Sequence, residues 1–221
     1  SGCEVLAHDQ RGLGRTTIPP GPYTMADYAA DALALLDHVG WERARVVGIS
    51  FGGMVAQELA VTAPERVERL ALLCTSPGGP ELASYPLHTL ADLPADEAAA
   101  IGLTILDTRF TAEWLGGHPS ARALVELGAG RRAGGDDPEV ARGKAEQLGA
   151  RAGHDVVDRL GRITCPTLVA GGRYDGIAPP ANSEAIAERI AGADLRFYEG
   201  GHAFLAQDPV AFPDVLDFLR G

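Results

Sequence analysis

The residues Gly48-Ile49-Ser50-Phe51-Gly52 carry the clearest chemical signal in the chain. An apolar pair, Val46-Val47, precedes them, and a helix-like stretch from Gly53 to Ala60 follows. Strand, G-x-S-x-G, helix is the pattern of a nucleophile elbow, a tight turn that holds a serine hydroxyl above the edge of a sheet. The flanking glycines have a steric reason. Such a turn strains its central residue, and side chains two positions to either side are expected to strike the adjoining strand and helix. Phe51 then offers its backbone N–H at the start of the helix, where free N–H groups and partial positive charge suit an oxyanion.

A serine hydroxyl is a poor nucleophile at neutral pH. It needs a base to take its proton, and the base needs a group that fixes its tautomer and stabilises its charge. Behind an elbow of this kind the partners come in the order acid, then histidine. The run Thr167-Leu168-Val169-Ala170-Gly171-Gly172 reads as a buried strand, and Asp175 lies in the loop just past its carboxyl end, where ligand groups gather in open α/β sheets. A second short strand, Leu195 to Tyr198, leads into Glu199-Gly200-Gly201-His202, a glycine-rich loop before the last helix. Alone, Asp175 in an Asp-Gly dipeptide is a turn residue, and His202 alone is a surface or capping histidine. Each nevertheless follows a strand, in the required order, so the expected set is Ser50, Asp175 and His202. His8, His38, His88, His118 and His154 show no metal-ligand spacing, so no metal is expected. Asp92 and Glu113 read as solvated surface charges, with contact to substrate as the competing reading for a carboxylate in that region.

The elements that must position these groups alternate between strand and helix, which implies an α/β fold with a mostly parallel sheet covered on both faces. Thr24 with Asp27 forms a capping box in front of Met25, Tyr28, Ala29, Leu35, Leu36 and Val39, which follow helical spacing up to Gly40. The helix after the elbow runs to about Ala63 and stops at Pro64. Val67 to Cys74 is the next strand. From about residue 78 to 160 the chain is rich in Ala, Gly and Arg, with helical patches and no convincing strand. This segment reads as a helical cap, residues 78–160, inserted into a core made of 1–77 and 161–221. Tyr85, Leu87, Phe110, Trp114 and Leu115 are candidates to line the substrate pocket beneath that cap, with packing inside the cap as the competing reading. Met54 reads as core. Asn182 to Ile190 and Pro209 to Leu219 are the last two helices, the first closed at Gly192 and the second opened by Pro209.

These residues resemble the α/β-hydrolase superfamily, and within it serine hydrolases similar to 3-oxoadipate enol-lactonase. Asp9-Gln10-Arg11-Gly12-Leu13-Gly14 resembles the D-x-R-G-x-G turn after the fourth strand of that fold. Gly48 to Gly53 resembles its elbow, and Gly172 to Asp175 and Gly200 to His202 resemble its acid and base loops. Softer likenesses are Pro22-Tyr23-Thr24-Met25 and Gln207-Asp208-Pro209. The resemblance implies an acyl-enzyme mechanism on a small ester or lactone, with no cofactor. Serine at the elbow separates the chain from relatives of this fold that use aspartate there. Readings that share the same three residues are a cofactor-free perhydrolase or haloperoxidase-like activity and C–C bond hydrolysis. A small-molecule receptor and a non-catalytic remnant are the readings without turnover.

The family pattern places about three strands, a helix and a His-Gly loop ahead of the D-x-R-G turn, and that loop supplies the second oxyanion N–H. In this sequence Glu4 to Asp9 already reads as the fourth strand. The chain therefore reads as a piece of a longer protein without strands one to three. In the family's sheet the third strand lies between the fourth and fifth, so Val5-Leu6-Ala7 is expected to have no direct partner. Val46 to Ile49 is expected to present a bare apolar edge.

Composition narrows the partners. The 221 residues suit one domain with an insert, and the 46% hydrophobic content suits a globular core. A net charge of −11 and an isoelectric point near 4.9 argue against nucleic acid and anionic membranes. Cys3, Cys74 and Cys165 make no disulfide framework, and Cys74 and Cys165, at strand ends, read as buried reduced thiols. This points to a cytoplasmic protein. No apolar run is long enough for a membrane span.

Overall fold

The computed structural model describes residues 2–130 and 137–221. Four strands form one parallel sheet in sequential order: β1 Ala44–Ile49, β2 Val67–Leu73, β3 Thr167–Gly172 and β4 Asp194–Tyr198. The helices in chain order are α1 Met25–His38, α2 Phe51–Thr62, α3 Gly79–Leu82, α4 Ala95–Leu106 and α5 Ala112–Gly117. They continue with α6 Pro119–Gly130, α7 Pro138–Ala152, α8 Pro180–Arg189, α9 Phe204–Gln207 and α10 Ala211–Arg220. Between β2 and β3 the described residues form helices and loops, with two isolated bridges made by Gly78.

Local chemistry explains the boundaries. The Thr24 hydroxyl accepts from the Asp27 N–H, and the Asp27 carboxylate accepts from the Thr24 N–H and hydroxyl, so both groups of the capping box are in place. Those hydrogen bonds hold Asp27 below the usual carboxylate range. Gly40 and Gly192 sit at φ 73° just past α1 and α8, a conformation that favours glycine. All six residues of β3 are buried, as expected of a central parallel strand.

The sheet has a core on each face. On one, Leu59 and Val61 of α2 pack with Val67, Leu70 and Leu72 of β2, Leu160, Ile163 and Ile186. On the other, Leu73 and Leu168 pack with Tyr198, Phe204 and Val215. A third cluster, Tyr23, Met25, Tyr28, Met54 and Ala150, joins α1, α2 and α7.

Three sequence expectations need correction. Glu4 to Asp9 is not a strand, and it pairs with none of the four; Val5 is 84% exposed. The adjacent edge, β1, keeps Val47 and Ile49 45% and 50% exposed, which matches the expected bare edge. The last helix begins at Ala211 rather than Pro209, because the short helix α9 occupies the turn after His202 and the Asp208 carboxylate caps the intervening bend. Cys74 is buried, and burial pushes its thiol up to about 12. Cys165 is only half-buried; all three cysteines are free.

Candidate active site

Ser50 follows the last residue of β1 and precedes the first of α2. It sits at φ 53°, ψ −117°, a strained conformation for a residue with a side chain. Two hydrogen bonds pin it. Its N–H donates to the Leu73 carbonyl of β2 at 2.8 Å, and its carbonyl accepts from the Thr75 hydroxyl at 2.8 Å. The glycine requirement is clear at Gly48, where a Cβ would lie 2.5 Å from the Gly52 oxygen and 2.6 Å from the Gly53 Cα. Gly52 does not fit the sequence expectation, because a Cβ there meets nothing within 4 Å. The second crowded position is Gly53, where a Cβ would lie 2.5 Å from the Thr75 side chain. Phe51 opens α2, so its N–H belongs to the first turn, which has no intrahelical acceptor. Its ring is half-buried, edge-on to Tyr28 at 5.0 Å.

Asp175 and His202 come to Ser50 from the loops after β3 and β4. The Asp175 side chain is fully buried. One oxygen accepts from the backbone N–H groups of Ile177 and Ala178 at 2.8 and 2.9 Å, and the other lies 2.8 Å from His202 Nδ1. Asp175 thus holds its own turn with one oxygen and meets the imidazole with the other. His202 Nε2 lies 2.8 Å from Ser50 Oγ. With Nδ1–H donating to Asp175, Nε2 is the acceptor for the serine proton. The imidazole is mostly buried and Ser50 partly exposed, so a small molecule can reach the hydroxyl.

A brace that sequence reasoning missed supports the acid and base loops. The segment leaving α4 meets both. The Ile105 carbonyl accepts from the Gly176 N–H at 3.0 Å, and the Leu106 carbonyl accepts from the His202 N–H at 2.7 Å. The Thr108 N–H donates to the Tyr174 carbonyl at 2.9 Å. Gly201 packs so closely on the Leu106 carbonyl and Asp107 that a Cβ does not fit. Asp107, fully buried, accepts from Arg109 through two nitrogens at 2.9 and 2.7 Å and from Gln207 Nε2 at 2.8 Å. Burial alone would raise its pKa, but these hydrogen bonds outweigh burial and hold it below the usual carboxylate range. Gln207 in turn accepts from the Gly201 N–H at 2.8 Å. The Arg109 guanidinium lies 3.9 Å over the Tyr174 ring. Asp-x-Arg is common on surfaces, so no local signal marked Asp107.

The other candidates scatter. Phe110 and Leu115 are buried, and Tyr85 and Leu87 are half-buried. Trp114 stacks on His118 at 3.7 Å, beside an open cavity of about 580 Å³ that Arg109, Glu199 and Gln207 also line. Asp92 and Glu113 are exposed, and Met54 is buried. Of the remaining histidines only His154 is buried. Among the described residues no group of three or more His, Cys, Asp and Glu could hold a metal ion, and no helix is long and apolar enough to cross a membrane.

Comparison with known proteins gives consistent results. The model of the alpha/beta hydrolase fold family matches residues 1–209. The chain is 30% identical over 210 residues to 3-oxoadipate enol-lactonase 2 of Acinetobacter baylyi, covering 94% of this chain and 75% of that protein. It is 32% identical to a protein of Variovorax paradoxus whose name proposes it as a carbamate hydrolase, over 99% of this chain and 82% of that one. The crystal structure of an enol-lactonase from Burkholderia xenovorans superposes with a TM-score of 0.76 at 29% identity, covering 96% of this chain and 79% of that one.

Proposed function

The chain belongs to the alpha/beta hydrolase fold family, and from that premise we propose that it is a serine hydrolase that cleaves small carboxylic esters or lactones through Ser50, His202 and Asp175. The observation that carries this reading is the relay of two 2.8 Å contacts from Asp175 Oδ2 through the imidazole to Ser50 Oγ. As Ser50 attacks the carbonyl carbon, His202 Nε2 takes its proton. Asp175 keeps the imidazole in the productive tautomer and stabilises the imidazolium. The Phe51 N–H, at the positive end of α2, donates to the oxyanion. His202 then returns the proton to the leaving oxygen. In the second half-reaction it takes a proton from water, the hydroxide attacks the acyl carbon, and Ser50 leaves with its proton restored.

Residues 78–160 are read here as a helical cap that shapes the entrance over Ser50. The enol-lactonase names among the relatives support an ester or lactone as substrate, and the carbamate hydrolase name marks the neighbouring acyl chemistry. The acidic net charge supports a small molecule rather than nucleic acid as partner. The three free thiols support a reducing, cytoplasmic setting.

Active-site labelling tests the reading. A fluorophosphonate is expected to attach to Ser50, and Ser50→Ala is expected to lose both the label and the hydrolysis of 4-nitrophenyl acetate. Labelling that persists in Ser50→Ala overturns the assignment.

A further inference from the structure

A second cavity, about 80 Å³, lies where the first turns of α2, the segment after β2 and the end of α7 meet. Met54, Ser76, Ser84, His88, Arg151 and His154 line it. Its electrostatics are unusual for a chain of net charge −11. No Asp or Glu stands in its wall. Arg151 is 8% exposed; Nη1 donates to the Tyr85 carbonyl at 2.8 Å, while Nη2 is buried and finds no acceptor among the described residues. No carboxylate among them pairs with this guanidinium. Burial lowers its pKa with no acid opposing, yet arginine keeps its charge at neutral pH. His154 is 4% exposed, and neither ring nitrogen has a well-formed hydrogen bond. Burial pushes it down to about 4, with Arg159 acting in the same direction and Glu58, the Ser76 backbone and Asp155 opposing.

A buried cation without a counter-charge weakens a fold, because its lost hydration is not offset. It is well suited to receive an anion, since the desolvation has already taken place in the free protein. One fixed positive charge matches a monoanion. The planar guanidinium matches a carboxylate, and the volume fits a group of a few non-hydrogen atoms. Ser76 has no hydroxyl to spare, as it donates to the Leu82 carbonyl and accepts from the Gly78 N–H. Ser84 and neutral His154 each bring one further donor to the wall.

We propose that this cavity is a subsite for a small carboxylate, paired with Arg151 Nη2 and hydrogen-bonded by the Ser84 hydroxyl and the His154 ring. The subsite adjoins the elbow. The Met54 N–H bonds to the Ser50 carbonyl at 3.3 Å, and Ser76 follows Thr75, whose hydroxyl holds the same carbonyl. Two sources of the carboxylate share this chemistry: the acid end of an ester bound at Ser50, which rests on the hydrolase reading, and a free carboxylate, which does not.

The test has two arms. In the first, sodium acetate is titrated into the 15N-labelled wild-type chain against sodium chloride at equal ionic strength. The arginine and histidine side-chain resonances are followed, with Arg151 assigned by its loss in Arg151→Lys. A saturable shift at Arg151 with acetate and not with chloride supports the subsite, whether or not the protein turns over esters. In the second arm, kcat/KM is measured for the 4-nitrophenyl half-ester of glutaric acid and for 4-nitrophenyl acetate, in wild type and in Arg151→Met. If the substrate supplies the carboxylate, the half-ester to acetate ratio is expected to fall about 10- to 100-fold in the variant. An unchanged ratio with the acetate shift intact assigns the free carboxylate. An acetate response no different from chloride overturns the subsite, even if Arg151→Met fails to fold. Absence of Ser50-dependent turnover in the wild type overturns the hydrolase reading and leaves the first arm to judge the cavity.

Discussion

Acidification should destabilise this protein through one side chain, His154. Its ordinary pKa of 6.5 falls to about 4 in the fold, chiefly through burial. The folded value lies below the unfolded one, so between pH 6.5 and 4 the unfolded chain binds more protons and stability drops as pH falls. The shift of about 2.5 units corresponds to about 3.4 kcal/mol at most, at about 1.4 kcal/mol per unit. At pH 7 the linkage cost is only about 0.2 kcal/mol, and at pH 5 it reaches about 2 kcal/mol. The groups that act on the ring, Glu58, Arg159 and Asp155, stay in place in His154→Gln, so the difference between the two proteins isolates the imidazole. Urea unfolding of wild type and His154→Gln at pH 7 and pH 5 provides the assay. Its buffers must lack carboxylates, which the proposed subsite would bind. Wild type is expected to lose about 2 kcal/mol more than the variant over that interval. An identical loss in both proteins refutes the argument, because the imidazole would then not be held neutral by burial.

Three further outcomes are expected. Asp175→Asn should lower kcat/KM for 4-nitrophenyl acetate by about 10³- to 10⁴-fold, because the amide favours the wrong imidazole tautomer; activity within tenfold of wild type contradicts that role. Gly48→Ala should cost more than about 2 kcal/mol by thermal denaturation, since its methyl group meets backbone that cannot yield. Gly52→Ala, with open space around it, should be neutral or stabilising by up to about 1 kcal/mol; equal effects of the two changes would contradict the steric account. Asp107→Ala leaves Arg109 and Gln207 without their shared acceptor and should destabilise by about 1–3 kcal/mol while raising KM or lowering kcat through the His202 loop, measured by urea unfolding and steady-state kinetics.

The parts legible in the sequence were those set by neighbours in the chain. Thr24 and Asp27 are three apart and cap each other; Thr167 to Gly172 is an apolar run flanked by Pro166 and a loop. The chain order of Ser50, Asp175 and His202 was enough to foresee that they meet, because parallel strands deliver their following loops to one edge of the sheet. The failures lie where distant segments decide. Gly52 and Gly53 look alike in sequence, and only the position of Thr75 shows which one is crowded. Glu4 to Asp9 contains the short apolar run Val5-Leu6-Ala7 that reads as a strand, but pattern alone provides no partner for its hydrogen bonds. Arg151 sits in an Ala-, Gly- and Arg-rich stretch that reads only as helical patches. Its burial follows from the packing of α7 against the segment after β2, which no periodicity records.

The stitching of residues 105–108 to the loops of Asp175 and His202 has a consequence for engineering. The helices between β2 and β3 cannot be exchanged as one block. The last turn of α4 and the residues just after it belong mechanically to those loops, since the Ile105 and Leu106 carbonyls fix Gly176 and His202 by their main chains. Grafting foreign helices to alter selectivity would have to retain residues 105–108, the end of α4 included, while replacing the helical residues beyond them. An exchange that removed that stretch would leave the imidazole without a mooring, however well the new surface suited its ligand.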